Sequence, residues 1–332
     1  MAKFVACQDS GFDEVMVSTD GVTWSTVFAP ALGVTSVTWS PERGIFVAID
    51  QDGFAMTSPD GENWDTHALP STDNFQSVTW APALGLFIAV ADNGDAFEQV
   101  ITSPDGENWT PRTAAIGTFE LAWNAVCWSE ELGLAVAVAG FEVSEPEVMT
   151  SPDGINWTAR QGASDAPWQS VCWSPDVGLF VAVADGGTGD RVMTSPDGIN
   201  WTLRTTPADN SWASVCWSPE VGLFVAVASS GTGDRVMTSP DGINWTIRTS
   251  ATDASWNSVA WNPEAELFAA VGGSGGTNRI MTSSDGINWT VRAGGGTRTW
   301  TAVTWGGDFI PEPEWWKQRV NCSQEGIRWA TS

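Results

Sequence analysis

The sequence predicts an all-β protein, a β-propeller of four-stranded blades closed into a ring, and three observations predict it. A unit of about 44 residues recurs along nearly the whole of the 332-residue chain. Each unit holds four short runs rich in β-branched and aromatic residues, separated by Pro, Gly, Asp or Ser. No window sustains the 3.6-residue apolar period of a helix. A four-stranded unit of this length repeated along a chain is the signature of a propeller blade.

Two markers measure the period. An Asp-Gly turn recurs at Asp20, Asp60, Asp105, Asp153, Asp197, Asp241 and Asp285, at spacings of 40, 45, 48, 44, 44 and 44 residues, and a worn copy, "SQEGIRW", follows at Glu325. The second marker, "SVxW" and its variants, ends at Trp39, Trp80, Trp128, Trp173, Trp217, Trp261 and Trp305. Residues 170–204 and 214–248 differ at four of 35 positions, Asp176/Glu220, Asp185/Ser229, Gly186/Ser230 and Leu203/Ile247, which points to internal duplication.

In the unit that starts at Ser170 the four strands are "SVCWS", "LFVAV", "RVMTS" and "NWTLR". "SPDVG" turns the chain between the first pair, "ADGGTGD" between the next, and "SPDG" makes the last hairpin. Asp-Gly there predicts a type I′ turn, whose two central residues both take positive φ. A single sheet cannot bury both faces, whereas sheets stacked radially can. The "SVxW" and "DGxxW" positions account for fifteen of the 22 tryptophans and are assigned to blade-to-blade packing. Burying each such side chain is worth roughly 2–3 kcal/mol.

Six complete units run from Ser36 to about Arg292. The amino terminus supplies three strands of another, "FVAC", "VMVST" and "TWSTV", and its missing first strand is "TAVTW" at 301–305. Joining them closes the ring between the two ends of the chain and gives seven blades in one domain, 1–305. Residues 306–332 remain as a degenerate repeat packed on the propeller or as an eroded eighth blade, with Pro311 and Pro313 spoiling its second strand.

Forty acidic against fourteen basic residues give a net charge of −26. That field repels phosphate backbones and anionic lipid, so neither nucleic-acid binding nor membrane insertion is expected. The opening "MAKFVACQDS" lacks the apolar core of a secretory signal, and cytoplasmic synthesis is expected. Cys127, Cys172 and Cys216 occupy one repeat position, filled by Ala260 in the next unit, and read as small buried apolar residues. Cys7 and Cys322 read as free thiols.

At the hairpin, "SPDGINW" and "STDGVTW" resemble the Asp-box, or bacterial neuraminidase repeat, once per blade over nearly the whole chain. The short "SxDGxxW" form is similar to repeats in phage and bacterial propellers without assigned activity. In that family Ser/Thr, Asp, Gly and an aromatic sit on the turn between the third and fourth strands. The resemblance implies that the seven turn Asp residues cap their turns and that each Trp packs beneath.

Sialidase chemistry, which the resemblance also brings to mind, uses a Tyr nucleophile and an arginine triad, and this chain contains no tyrosine. Arg160, Arg204, Arg248 and Arg292, and likewise Arg191, Arg235 and Arg279, fall at repeat positions, which spreads them around the ring. The single histidine, His67, reads as a surface residue. Loop residues Asp50, Asp52, Asp92, Asp95, Asp185 and Asp190 are hard-oxygen donors without EF-hand spacing, and read as turn formers. No metal, cofactor or catalytic residue is assigned. The five "NWT" triplets read as turn residues.

One feature exceeds what a core needs. Five residues before each "SVxW" tryptophan stand Val34, Phe75, Trp123, Trp168, Trp212, Trp256 and Trp300, aromatic in six of seven blades. This aromatic ring is the candidate ligand-binding site, placed at the channel rim to stack sugars or a partner's apolar side chains, with packing between blades as its alternative. The expected function is non-enzymatic: a binding or structural propeller recognising a glycan or protein, in a phage virion or a bacterial assembly. A protein-assembly factor is one alternative, and a glycosidase or lyase with a convergent cleft in one blade is another.

Overall fold

A computed structural model describes residues 2–8, 14–30, 33–93, 99–115, 122–140, 147–274, 276, 279–294 and 296–307. Among them, 28 strands, β1 to β28 in chain order, form seven four-stranded antiparallel sheets. Blades 1 to 6 are contiguous and begin with inner strands β4 (Val34–Ser40), β8 (Phe75–Ala81), β12 (Trp123–Ser129), β16 (Trp168–Ser174), β20 (Trp212–Ser218) and β24 (Trp256–Asn262). Blade 7 joins β28 (Trp300–Gly306) to β1 (Lys3–Gln8), β2 (Glu14–Ser18) and β3 (Ser25–Phe28). Its β28–β1 register, with Phe4 opposite Trp305 and Ala6 opposite Val303, closes the ring.

The expected closure is therefore the observed one, with seven blades. The inner strands follow one another around a central channel, each packed on the next. The tail from 308 to 332, including Cys322 and Glu325, lies outside the described residues, as does Asp95.

Why these segments become strands is clearest in blade 5. The second strand β21 (Leu223–Ala228) reads LFVAVA and is buried on both faces after its first residue, as a sheet sandwiched between two others requires. Its neighbour β22 (Val236–Ser239) is buried throughout, whereas the outermost β23 (Thr246–Arg248) is exposed or half-buried. The core lies between blades. Seven apolar clusters occupy the seven interfaces, and the one between blades 4 and 5 sets Val181, Val183 and Val192 against Trp212, Val215, Phe224 and Met237.

Polar bonds register neighbouring blades near the channel. Oγ of Ser36, Ser77, Ser170, Ser214 and Ser258 accepts the backbone N–H of Val78, Val126, Val215, Val259 and Val303 in the next blade, at 3.1–3.2 Å. A strand edge that faces its neighbour is thereby satisfied without a continuous sheet.

The Asp-Gly turns differ from the expected type I′. Only the Gly has positive φ, between 66° and 79°, while none of the seven Asp residues does. Each Asp is instead an acceptor hub. Asp197 Oδ1 accepts the N–H of Ile199 at 2.9 Å and of Asn200 at 2.8 Å, and its Oδ2 accepts from Asn200 Nδ2 at 2.7 Å. This Asx-type cap needs an ordinary negative φ at Asp. The Gly has a second constraint: a Cβ on Gly106 would lie 2.6 Å from Val47 Cγ2 in the preceding blade.

Candidate binding surface

The aromatic set proposed to stack a ligand is placed elsewhere. Phe75, Trp168, Trp212, Trp256 and Trp300 are 0% exposed and Trp123 is 1% exposed. Each opens an inner strand but turns into an interface cluster, and Nε1 of Trp168, Trp212 and Trp256 donates to the carbonyls of Ser164, Ala208 and Thr252. A ring with no accessible face cannot stack on a sugar. The packing alternative describes these six residues, for the reason that governed the others: an apolar ring between two sheets gains more from burial than from a channel rim.

The turn Asp residues are where the resemblance implied, and their role is local. Burial alone would raise the Asp197 carboxyl, but hydrogen bonds from Asn200, Ile199 and Ser195 outweigh it and hold the group at about 2. The same balance holds Asp60, Asp105, Asp153, Asp241 and Asp285 at about 2, and backbone bonds from Thr23 and Val22 lower Asp20. The turn tryptophan closes the loop: Trp201 Nε1 donates to Gly198 O at 3.1 Å. The Asn of each "NWT" triplet is held by its turn Asp.

The repeated arginines stay dispersed. Arg112, Arg160, Arg204, Arg248 and Arg292 each donate Nε to the Oγ1 of a Thr diagonally across on the third strand of their own blade. Arg191 and Arg235 brace their own loops through Gly187 O and Gly231 O. His67 Nε2 lies 2.9 Å from Thr57 Oγ1. Asp50 Oδ1 accepts from the N–H of Asp52 and Phe54, and Asp92 Oδ2 from the side chains of Asn74 and Gln76. Among the described residues no three acidic, His or Cys side chains gather as a metal site.

Blade 3 breaks the repeat. Where blades 4 to 6 have Arg191, Arg235 and Arg279, it has Glu147, which is 0% exposed. Burial raises its carboxyl to about 7, against hydrogen bonds that lower it, and neighbouring Asp165 raises it further. Gln161 Nε2 and Gly162 N donate to Oε2 at 3.1 and 3.0 Å. Glu147 itself is enclosed and presents no carboxylate to a substrate, while Asp165 beside it is exposed.

On the inner strands the aromatic side chains that do reach the surface are the "SVxW" tryptophans, which the sequence assigned wholly to packing; Trp109, Trp157, Trp201 and Trp289 of the Asp-Gly turns are half-buried as well. Five of the seven, Trp39, Trp128, Trp173, Trp217 and Trp305, are half-buried, while Trp80 and Trp261 are 7% and 5% exposed. Each ends an inner strand on the face that also carries the Asp-Gly turns. Trp39, Trp80, Trp173, Trp217 and Trp261 each rest on the second-strand Phe of their own blade, with ring centroids 4.6 Å apart in Trp217–Phe224, while Trp128 faces Ala135. The indole N–H reaches an acid in the preceding blade's first turn. Trp80 donates to Glu42, Trp173 to Glu131 and Trp261 to Glu220, each at 2.6 Å, and Trp217 donates to Asp176 at 3.1 Å. Trp128 uses Glu130 of its own turn at 2.7 Å.

The result is a collar of indoles and carboxylates around one mouth of the channel. A cavity of about 340 Å³ opens in it across blades 5, 6 and 7, with Trp217, Glu220, Trp261, Pro263 and Trp305 in its wall. One signal in the sequence could have found it, the acid that recurs in the turn after the "SVxW" marker at Glu42, Glu131, Asp176, Glu220 and Glu264, since packing between sheets does not call for a charge there. The channel wall above holds Cys127, Cys172 and Cys216. Burial raises each thiol, and in Cys172 its two neighbours add to the effect, so all three stay protonated and poorly nucleophilic.

No protein-family model matches the chain, and no curated protein matches it. Solved structures do. A streptogramin B lyase is similar with a TM-score of 0.66 at 8% identity, over 80% of this chain and 89% of that one. YCF48 bound to D1 peptide is similar at 0.57 and 15% identity, over 86% and 87%. A chain of the nidogen/laminin complex is similar at 0.57 and 8% identity, over 93% and 99%. At such identities these likenesses establish the fold alone, and the chain is a seven-bladed β-propeller.

Proposed function

We propose that this propeller is a binding module without chemistry of its own, and that it holds a peptide or protein segment over the channel mouth on the Asp-Gly-turn face. The observation that carries this reading is the collar: five half-buried tryptophans and the exposed carboxylates of the inner-strand turns ring the channel mouth beside a cavity of about 340 Å³. Exposed Trp in a rigid ring supplies large contact area at little entropic cost, the property that makes it an interface anchor. Near-identical blades present near-identical contacts, which favours additive binding over a convergent catalytic cleft. A glycan partner loses its basis once the six strand-opening aromatics are buried. A protein partner gains some, since two of the similar propellers are a nidogen/laminin complex and YCF48 bound to D1 peptide.

The test is to pan a random dodecapeptide library against the folded chain and map any enriched peptide by hydrogen exchange. Enriched peptides are expected to protect amides in turns 175–178 and 219–222. Failure to enrich any peptide, or protection confined to the opposite face, would refute the reading.

A further inference from the structure

Building on that binding reading, we infer that the collar takes a cationic segment, a Lys- or Arg-bearing stretch of a partner chain, with an ammonium or guanidinium group seated beside Glu220 among Trp217, Trp261 and Trp305.

Two features of the wall select a cation. The first is charge. The six inner-strand turns carry Glu42, Glu130, Glu131, Asp176, Glu220, Glu264 and Glu266 against a single cation, Arg43. In blades 3 to 6 the turns hold six of those acids and no Lys or Arg. The acids that have partners bond to indole N–H groups, which are neutral, or in Glu264 to the backbone N–H of Ala2, so their negative charge is oriented and not cancelled. The ion pairs of the described residues, Lys3–Glu62, Arg235–Asp253 and Arg298–Glu14, involve none of the seven.

The second feature is the aromatic lining. Indole is the best of the side-chain rings for a cation above its face, and an acid hydrogen-bonded to its N–H enriches the ring's negative potential. Three tryptophans from three blades meet at this one cavity. An anionic or purely apolar segment would desolvate the same carboxylates without compensation.

Backbone conformation adds a supporting detail. At the fourth turn position blades 1 to 5 use Gly44, Gly85, Gly133, Gly178 and Gly222, all with positive φ, whereas blade 6 places Glu266 there at φ 49°. A carboxylate thus stands in the same turn as Pro263 of the cavity wall, in a conformation that glycine holds without strain.

The test uses the full chain and octalysine in isothermal titration calorimetry, with octaglutamate as the opposite probe. The variant Asp176→Asn with Glu220→Gln removes two collar charges but keeps a carbonyl acceptor for Trp217 and Trp261. The control, Asp65→Asn with Glu107→Gln, removes two exposed charges away from the mouth and leaves the same net charge. Octalysine affinity is expected to fall by about tenfold in the collar variant and by less than about twofold in the control. Hydrogen exchange on the unmodified chain should show octalysine protecting turns 175–178 and 219–222. Equal losses in both variants would assign the binding to the whole-protein field and overturn the inference, as would protection elsewhere or no binding. Panned peptides that dock on the collar but carry no excess of Lys or Arg would overturn it too, while leaving the binding reading intact.

Discussion

Truncating a strand-opening tryptophan distinguishes packing from ligand display most directly, and Trp212→Ala is the sharpest case. Its side chain is 0% exposed and fills the blade 4–blade 5 interface against Val181, Val183, Val215, Phe224 and Met237. An aromatic side chain of this size buries roughly 150–250 Å². At about 25 cal/mol per Å² that is ~4–6 kcal/mol of transfer free energy, of which Ala keeps a small part. The substitution also strips the Ala208 carbonyl of its indole donor, now at 3.3 Å, adding about 1 kcal/mol. Partial collapse of neighbouring side chains offsets some of this, so the expected loss is about 3–5 kcal/mol. Urea unfolding followed by far-ultraviolet circular dichroism measures it, with Trp217→Ala, half-buried in the collar, expected to cost only about 1–2 kcal/mol. A loss below about 1 kcal/mol for Trp212→Ala, or no greater than for Trp217→Ala, would refute the assignment of the opening ring to the core.

Three further outcomes follow from local geometry. Glu266→Gly relieves a positive φ at a turn where five sister blades use Gly, and is expected to raise stability by about 1 kcal/mol, seen as a higher denaturation midpoint. The turn carboxylates at about 2 sit below their ordinary 3.8, so the folded state gains from their ionised form. That stability is complete above pH 4 and is lost as pH falls from 4 through 2, by about 0.5–1 kcal/mol per turn after solvent screening; Asp197→Asn should flatten the slope by one such share. Glu147 has the opposite sign. Its carboxyl is raised from 4.5 to about 7, so the fold loses stability as pH rises through that interval, by up to ~3 kcal/mol; burial also raises Asp50 to about 6, so Glu147→Gln should remove the dependence in thermal melts between pH 6 and 8. A melt profile for Glu147→Gln that still falls across that range would place the titrating group elsewhere.

The period, the four strands per unit and the closing of the ring were legible in the sequence because each rests on local chemistry. Gly in "DG" fixes a positive φ, runs such as LFVAVA fit only a strand covered on both faces, and "TAVTW" at 301–305 is the one run that completes the amino-terminal unit. The capping role of the turn Asp was implied by the Asp-box resemblance, and the bonds that carry it are local, to partners two and three residues away. The turn type was not. Asp-Gly suits both a type I′ hairpin and an Asx-capped loop, and the closer is Trp201, whose packing on Phe180 at 6.4 Å is a tertiary contact.

The sequence by itself determined how many times one architectural word is spoken and which residues spell it. Which of two tryptophan sets faces solvent was decided only by tertiary structure. Both recur at one repeat position, aromatic in six of seven blades for the opening set and in all seven for the other, and they stand five residues apart on one strand. Trp212 opens the strand where two sheets press together, so its ring is enclosed. Trp217 ends it at the channel mouth, where the next blade overlaps it only partly and Asp176 from the preceding blade reaches its N–H. That difference arises from the twist and radial stacking of neighbouring sheets, relations between residues about 44 apart that no single unit of the sequence contains.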